Sequence, residues 1–251
     1  MDEASGHTRE VLEAKLLLAE RESQGPRLPA DTALLRKLQA TLDTPPPGVP
    51  EGYALWNDYL AYRRARLALL EEGTPAKGPL RWAAYERLRG EFARGLTFER
   101  FMISVLREDA ALPQAQRRWL SAFTLPRIEV HVGLSKPGVP GVVRFVDVLV
   151  IEQRPPSSQA PRVETFSFKS RFLQPLAGEA LEAPILMDAR AALEYYGGKV
   201  NIRRPSLEGF VQVQRVRLVY EGGSRVPDRP VLEPALKDVQ GKVKGVEVVI
   251  Q

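Results

Sequence analysis

The strongest constraint on how this 251-residue chain can fold is a change of periodicity at Pro126. Before it, apolar residues recur every three or four positions, the repeat of a helix with one buried face. After it, Ile128, Val130, Val132 and Leu134 alternate with Glu129, His131 and Gly133, the repeat of a half-buried strand. The expected class is α+β, with a helical N-terminal half followed by a sheet whose short connections favour a mainly antiparallel meander.

In the helical half, Arg9–Glu22 carries Leu12, Leu16 and Ala19 at helical spacing, and Asp31 is placed to cap a short helix through Leu42. The stiff run Thr44-Pro45-Pro46-Pro47-Gly48-Val49-Pro50 then reads as a linker. Tyr53–Glu72 presents Leu55, Trp56, Tyr59, Leu60, Leu67 and Leu70 on one side. Another helical stretch runs from about Leu80 to Arg94, with a break at Gly95. A new helix starts at Thr97, whose hydroxyl is expected to cap it, and a short one covers Gln114–Phe123. The aromatic side chains of these helices are most simply core.

In the second half, Val142–Ile151 is apolar on both faces and is expected to be a central strand. Arg162–Lys169 reads as the next strand, Pro184–Tyr196 as a helix stopped by Gly197-Gly198, Phe210–Tyr220 as one long strand and Val246–Ile250 as a last one. The expected division is residues 1–50 as leader and linker and 51–125 as a helical region packing on the core. Residues 126–251 form the α/β core, whose first helix lies at about 97–108.

Composition narrows the chemistry. There is no cysteine and there are only two histidines, His7 and His131, so disulfides and thiolate zinc sites are excluded and no zinc is expected. A Ser–His–Asp arrangement would have to use His131, and no nucleophile elbow accompanies it. The favoured metals are hard, oxygen-bound cations, Mg²⁺ or Mn²⁺. The net charge of +5 lies mostly in residues 126–251, with 18 basic and 14 acidic side chains, which suits a polyanion partner as well as an ordinary solvated surface. No apolar run approaches the roughly 18–20 residues that cross a bilayer, so no membrane partner is expected. The start Met1-Asp2-Glu3 lacks the basic-then-apolar pattern of a secretory signal. A cytoplasmic location, or delivery into a target cell by a non-classical route, is therefore expected.

From Thr97 onward the order helix, strand, strand, strand, helix, strand resembles the common core of the PD-(D/E)xK, or restriction-endonuclease-like, nucleases. Three residues carry the resemblance: Glu99 on the first helix, Asp147 in Arg144-Phe145-Val146-Asp147-Val148, and Lys169 in Phe166-Ser167-Phe168-Lys169-Ser170. It covers about residues 95–220 and implies Mg²⁺-dependent phosphodiester hydrolysis of DNA or RNA. Asp147 and Glu99 would be the metal ligands and Lys169 the cation at the attacking water.

The acid-x-lysine pattern of that family reads Ser167-Phe168-Lys169 here, so one carboxylate is missing. Glu164 is close but lies on the opposite face of a regular strand unless a bulge intervenes. A helix carboxylate is the other replacement, with Glu99 first and Asp188 or Glu194 behind it. Each candidate has a plainer reading: Asp147 as partner of Arg144 or another arginine, Lys169 as a solvated strand end, Glu99 as a surface helix residue. Arg144, Arg171, Arg203 and Arg204 are candidates for gripping phosphates, the last two being equally suited to an exposed loop. Gln212, Gln214, Arg215 and Arg217 are expected to form the polar face of a single strand.

The segments Val163–Arg171, Ala192–Gly198 and Val213–Tyr220 are also similar to C-terminal nuclease domains of bacterial polymorphic toxins. That similarity implies a toxin effector with a cognate immunity protein. The alternative reading is a catalytically inactive nuclease-fold protein that binds nucleic acid or a protein partner.

Overall fold

The computed structural model describes residues 45, 47–50, 52–72, 82–138, 141–155 and 160–251. The two helices expected within residues 9–42 lie outside these. Contacts divide the chain into two units, Met1–Phe92 and Ala93–Gln251.

In the first unit, helix α1 (Ala54–Glu72) matches the expected span. The start of helix α2 (Trp82–Ala111) also belongs there. Trp56 and Tyr59 of α1 and Tyr85 of α2 are buried together, with Tyr59 and Tyr85 ring centroids 5.3 Å apart. Aromatic rings bury much area with few rotatable bonds, so three or four of them hold a two-helix contact that aliphatics of the same number would hold less firmly.

Helix α2 runs on without a break at Gly95, contrary to expectation. Glycine costs about 1 kcal/mol in a helix interior, which one buried face outweighs. Thr97 is consequently mid-helix, and its hydroxyl donates back to the Ala93 carbonyl (3.0 Å) instead of capping. After α2 the expected helix over Gln114–Phe123 is only a 3₁₀ turn, Gln114–Gln116. The buried Asp109 carboxylate accepts the backbone N–H groups of Arg118, Trp119 and Leu120 at 2.7, 3.1 and 2.8 Å. Those donors are satisfied without helical bonds, and Trp119, Leu120 and Phe123 are free to face the core.

A seven-stranded sheet carries the second unit, in the order β5-β4-β1-β2-β3-β6-β7. Strands β1 (Pro126–Ser135), β2 (Arg144–Glu152) and β3 (Val163–Lys169) form an antiparallel meander, and β2 is central as expected. Helix α3 (Gly178–Tyr196) follows, beginning six residues before the Pro184 at which it was expected to start. Gly197 and Gly198 do end it: a Cβ on Gly197 would lie 2.8 Å from the Leu193 carbonyl, and Gly198 has φ +65°. Strand β4 (Gly198–Ile202), which the sequence reading missed, joins β1 antiparallel.

The long strand expected over Phe210–Tyr220 is two strands at different places in the sheet. β5 (Gly209–Val213) pairs with β4 at one edge, whereas β6 (Arg215–Tyr220) runs parallel to β3. Gln214 makes the crossing, donating its N–H to the Val163 carbonyl (2.9 Å) and accepting the Val163 N–H on its side chain (2.5 Å). Gln212, Gln214, Arg215 and Arg217 therefore share no single face. Helix α4 (Arg229–Lys242), also missed because Pro230 and Pro234 fall in its first two turns, leads to β7 (Val246–Ile250), parallel to β6. The architecture is mixed α/β, with the sheet covered on both faces. One core packs α3 and α4 on Leu149, Val163, Leu218 and Val248, and the other packs α2 on Val148, Val150, Phe166 and Val219. No described helix is long and apolar enough to cross a membrane.

Candidate active site

One rung of the β1–β2 ladder departs from regular strand geometry. The pairs Val130–Val148 and Val132–Val146 set His131 across from Asp147. His131 has φ +50°, a left-handed backbone that a branched or bulky residue adopts only under constraint. Val130 and Val148 pack in the core with α2, but Val132 and Val146 pack in the core with α3. Both strands thus turn over at this rung, and Asp147 is the residue at the inflection.

The β2–β3 ladder extends as far as Val148–Phe166, and there the strands part. The Asp147 carboxylate fills the wedge, accepting the Phe168 N–H at 2.6 Å and a hydrogen bond from the Ser167 hydroxyl. Burial pushes the Asp147 carboxyl above its ordinary value, and the nearby Glu99 charge adds to this. The Phe168 N–H, the Lys169 ammonium and the Ser167 hydroxyl oppose it. Asp147, Glu99, Lys169 and Ser167, all nominated from the sequence, thus share one electrostatic neighbourhood.

The elements explain the convergence. α2 lies across the sheet through Phe98, Met102 and Leu106, which turns Glu99 toward the β1–β2 rung. There the Glu99 carboxylate accepts from Nε2 of the exposed His131. β3 continues beside β6 as far as Lys169, which pairs with Tyr220, so the lysine sits where β3 leaves the meander. Tyr196, the last residue of α3, donates its hydroxyl to the Phe145 carbonyl at 3.0 Å, two residues before Asp147. Burial first, then the Asp147 charge, raises the Tyr196 phenol. The sequence reading nominated neither His131 nor Tyr196 for this cluster; nothing in a strand's alternation marks a left-handed histidine.

Other nominated residues are held elsewhere. Glu164 is fully buried, bound by Arg162 at 2.9 and 2.7 Å and facing Arg217 at 3.2 Å. No bulge brings it toward Asp147. Its neighbour Arg217 lies over the Phe166 ring, in the core with α2. Asp188 takes both prongs of Arg171 at 2.6 Å and the Tyr220 hydroxyl at 2.8 Å. The burial of Tyr220 itself, and then the Asp188 charge, push its phenol far up. Glu194 lies near Lys136, whose ammonium donates to the Gly197 carbonyl at the end of α3. Arg204 is occupied by Glu129 and the Val130 carbonyl (2.8 Å). Arg144 lies 4.9 Å from the Tyr195 ring rather than pairing with Asp147, and Arg203 donates to the Ser135 hydroxyl at 3.1 Å.

Among the described residues no group of three or more His, Cys, Asp or Glu side chains converges. Asp147 and Glu99 provide two hard oxygen donors, and the Glu99 charge makes ionised Asp147 costlier, a cost that a cation would relieve. Mg²⁺ commonly takes one or two carboxylates and completes its shell with water and substrate phosphate oxygens, so the pair fits an open site of that kind.

Comparison with protein-family models, with curated proteins and with solved structures finds no match to this chain.

Proposed function

We propose that this chain is a metal-dependent nuclease that hydrolyses phosphodiester bonds at the Asp147 rung. The observation that carries the reading is the meeting of Asp147 from β2, Glu99 from α2 and the Lys169 charge from β3, where an antiparallel meander gives way to a parallel strand pair.

Asp147 and Glu99 would hold Mg²⁺ or Mn²⁺, which supplies a more acidic bound water and offsets charge on the scissile phosphate. The chain's own residues do the rest. Ser167 and the Phe168 N–H hold the Asp147 carboxylate in one orientation, and His131 does the same for Glu99. Lys169 offers an ammonium to the negative charge that grows on the phosphate oxygens. Ser167 therefore takes over the place of the missing acid as an orienting hydrogen-bond donor. Incubating plasmid DNA and total RNA with the protein in Mg²⁺ or EDTA tests this. Cleavage should require the metal and be lost in Asp147→Ala and Lys169→Ala; cleavage unchanged in either variant overturns the roles.

A second reading is favoured by the same Ser167 and by the engagement of Glu164 with arginines: a nuclease-like scaffold that binds nucleic acid without turnover. It is distinguished by salt-sensitive binding with no metal-dependent product. The toxin-effector part of the proposal, with its immunity partner, rests on the resemblance of three segments. Expression in a bacterial host should arrest growth, and Asp147→Ala should relieve the arrest.

A further inference from the structure

Of the four arginines the sequence nominates for phosphates, two are committed to carboxylates, Arg171 to Asp188 and Arg204 to Glu129. Arg144 and Arg203 form no ion pair among the described residues, and Arg203 lies beside an exposed side chain on its own face of the sheet. That side chain is Phe145, 65% exposed on a central strand, where an aromatic ring in water is costly. It pairs across the ladder with Gly133. A Cβ built on Gly133 would lie 3.5 Å from the Phe145 ring, 3.5 Å from the Arg203 Cβ and 3.1 Å from Val143 Cγ1. The missing side chain lets the ring and the base of the arginine lie down over the strand. Arg144, the preceding strand residue, points to the opposite face and covers Tyr195, and the Tyr196 hydroxyl clamps the Phe145 carbonyl.

We infer that Phe145 is a stacking platform for an unpaired base, that Arg203 takes the phosphate beside it, and that the substrate is therefore single-stranded nucleic acid. The inference deepens the nuclease reading by naming its substrate class. Phe145 lies two residues, about 7 Å along the strand, from Asp147. That is roughly one extended nucleotide from the proposed point of cleavage. A base in a duplex has its faces covered by its neighbours and cannot lie on the ring, whereas every unpaired base offers one. A cation with no acidic partner among the described residues, beside an exposed aromatic face, is complementary to such a strand, and a purely apolar partner would leave it buried and unpaired.

The test is binding of the full chain to a fluorescent single-stranded oligonucleotide in EDTA, which removes metal-dependent turnover, with the duplex of the same sequence as comparison. Phe145→Ala should weaken single-strand binding by at least about fivefold, the low end of what one stacked base contributes. Phe145→Trp should keep the affinity, and its fluorescence should be quenched on binding. Arg203→Gln should lower the slope of log Kd against log salt by about 0.7, one phosphate, and Arg144→Gln should leave it unchanged. Phe145 is exposed, so the variants should melt with the parent, and a binding loss accompanied by unfolding is replaced by the tryptophan readout. Single-strand binding indifferent to Phe145→Ala, an unquenched tryptophan, or equal affinity for the duplex overturns the inference. Phe145-dependent binding without any cleavage in Mg²⁺ upholds it and overturns the nuclease reading alone.

Discussion

At the scale of single residues, Asp147 works against the fold. Burial raises its carboxyl above the ordinary 3.8, so its ionised form is less at ease in the folded chain than in the unfolded one. The contribution this group makes to stability is present below pH 3.8 and is lost as pH rises through the raised value. Asp147→Asn keeps an oxygen for the Phe168 N–H and removes the charge. It should leave thermal stability unchanged or raise it by up to about 1 kcal/mol at neutral pH, while abolishing cleavage. Melting curves from pH 3 to pH 8 on both proteins check this, and the difference between them should open as pH rises. Cleavage should move the other way and increase with pH through the same window, because only the carboxylate holds a cation. Asp188 is held by its hydrogen-bond partners. It is buried with Arg171 and Tyr220 bound to it, so Asp188→Ala leaves a guanidinium and a phenol without their acceptor. A loss of about 3 kcal/mol is expected in chemical denaturation, with the Asp147 site otherwise intact.

At the scale of elements, two features of α2 and the loop behind it make opposite predictions. A Cβ on Gly90 or Gly95 would meet nothing within 4 Å, and both positions are helical. Gly90→Ala and Gly95→Ala should each stabilise the chain by about 0.5–1 kcal/mol; a loss of stability at either would mean that α2 is not one continuous helix there. Asp109→Ala removes the acceptor of three backbone N–H groups in the segment that carries Trp119 and Leu120 into the core. It should cost about 2–4 kcal/mol and weaken protection of those amides in hydrogen exchange. The same elements show what was legible beforehand. α1 and β1 followed directly from periodicity, since each buries a face whose repeat the sequence displays, and β2 from a run that is apolar on both faces. The break at Gly95, the helix at Gln114 and the single strand over Phe210–Tyr220 were misjudged because local propensity was overruled by a buried face, an acidic acceptor and a crossing to a distant edge.

At the scale of the whole molecule, both sheet cores and every residue of the proposed site lie in Ala93–Gln251. Removing residues 1–81, which keeps α2 whole, should leave cooperative unfolding and any metal-dependent cleavage in place, a matter for calorimetry and the nucleic-acid assay together. The sequence by itself determined the order of helix-rich and strand-rich halves, the central place of β2, and the short list that held Asp147, Glu99, Lys169 and Ser167. These rest on local periodicity and on residue chemistry, which the chain carries at every point. Only the tertiary structure decided which candidates meet. Glu164, Arg171 and Arg204 were drawn to partners 2 to 75 residues away in sequence, and at the rung where His131 is left-handed Asp147 lies in the gap between two strands. Pairing across a sheet depends on register between distant segments, and a single residue of φ +50° changes which way a strand faces without leaving a mark on its composition.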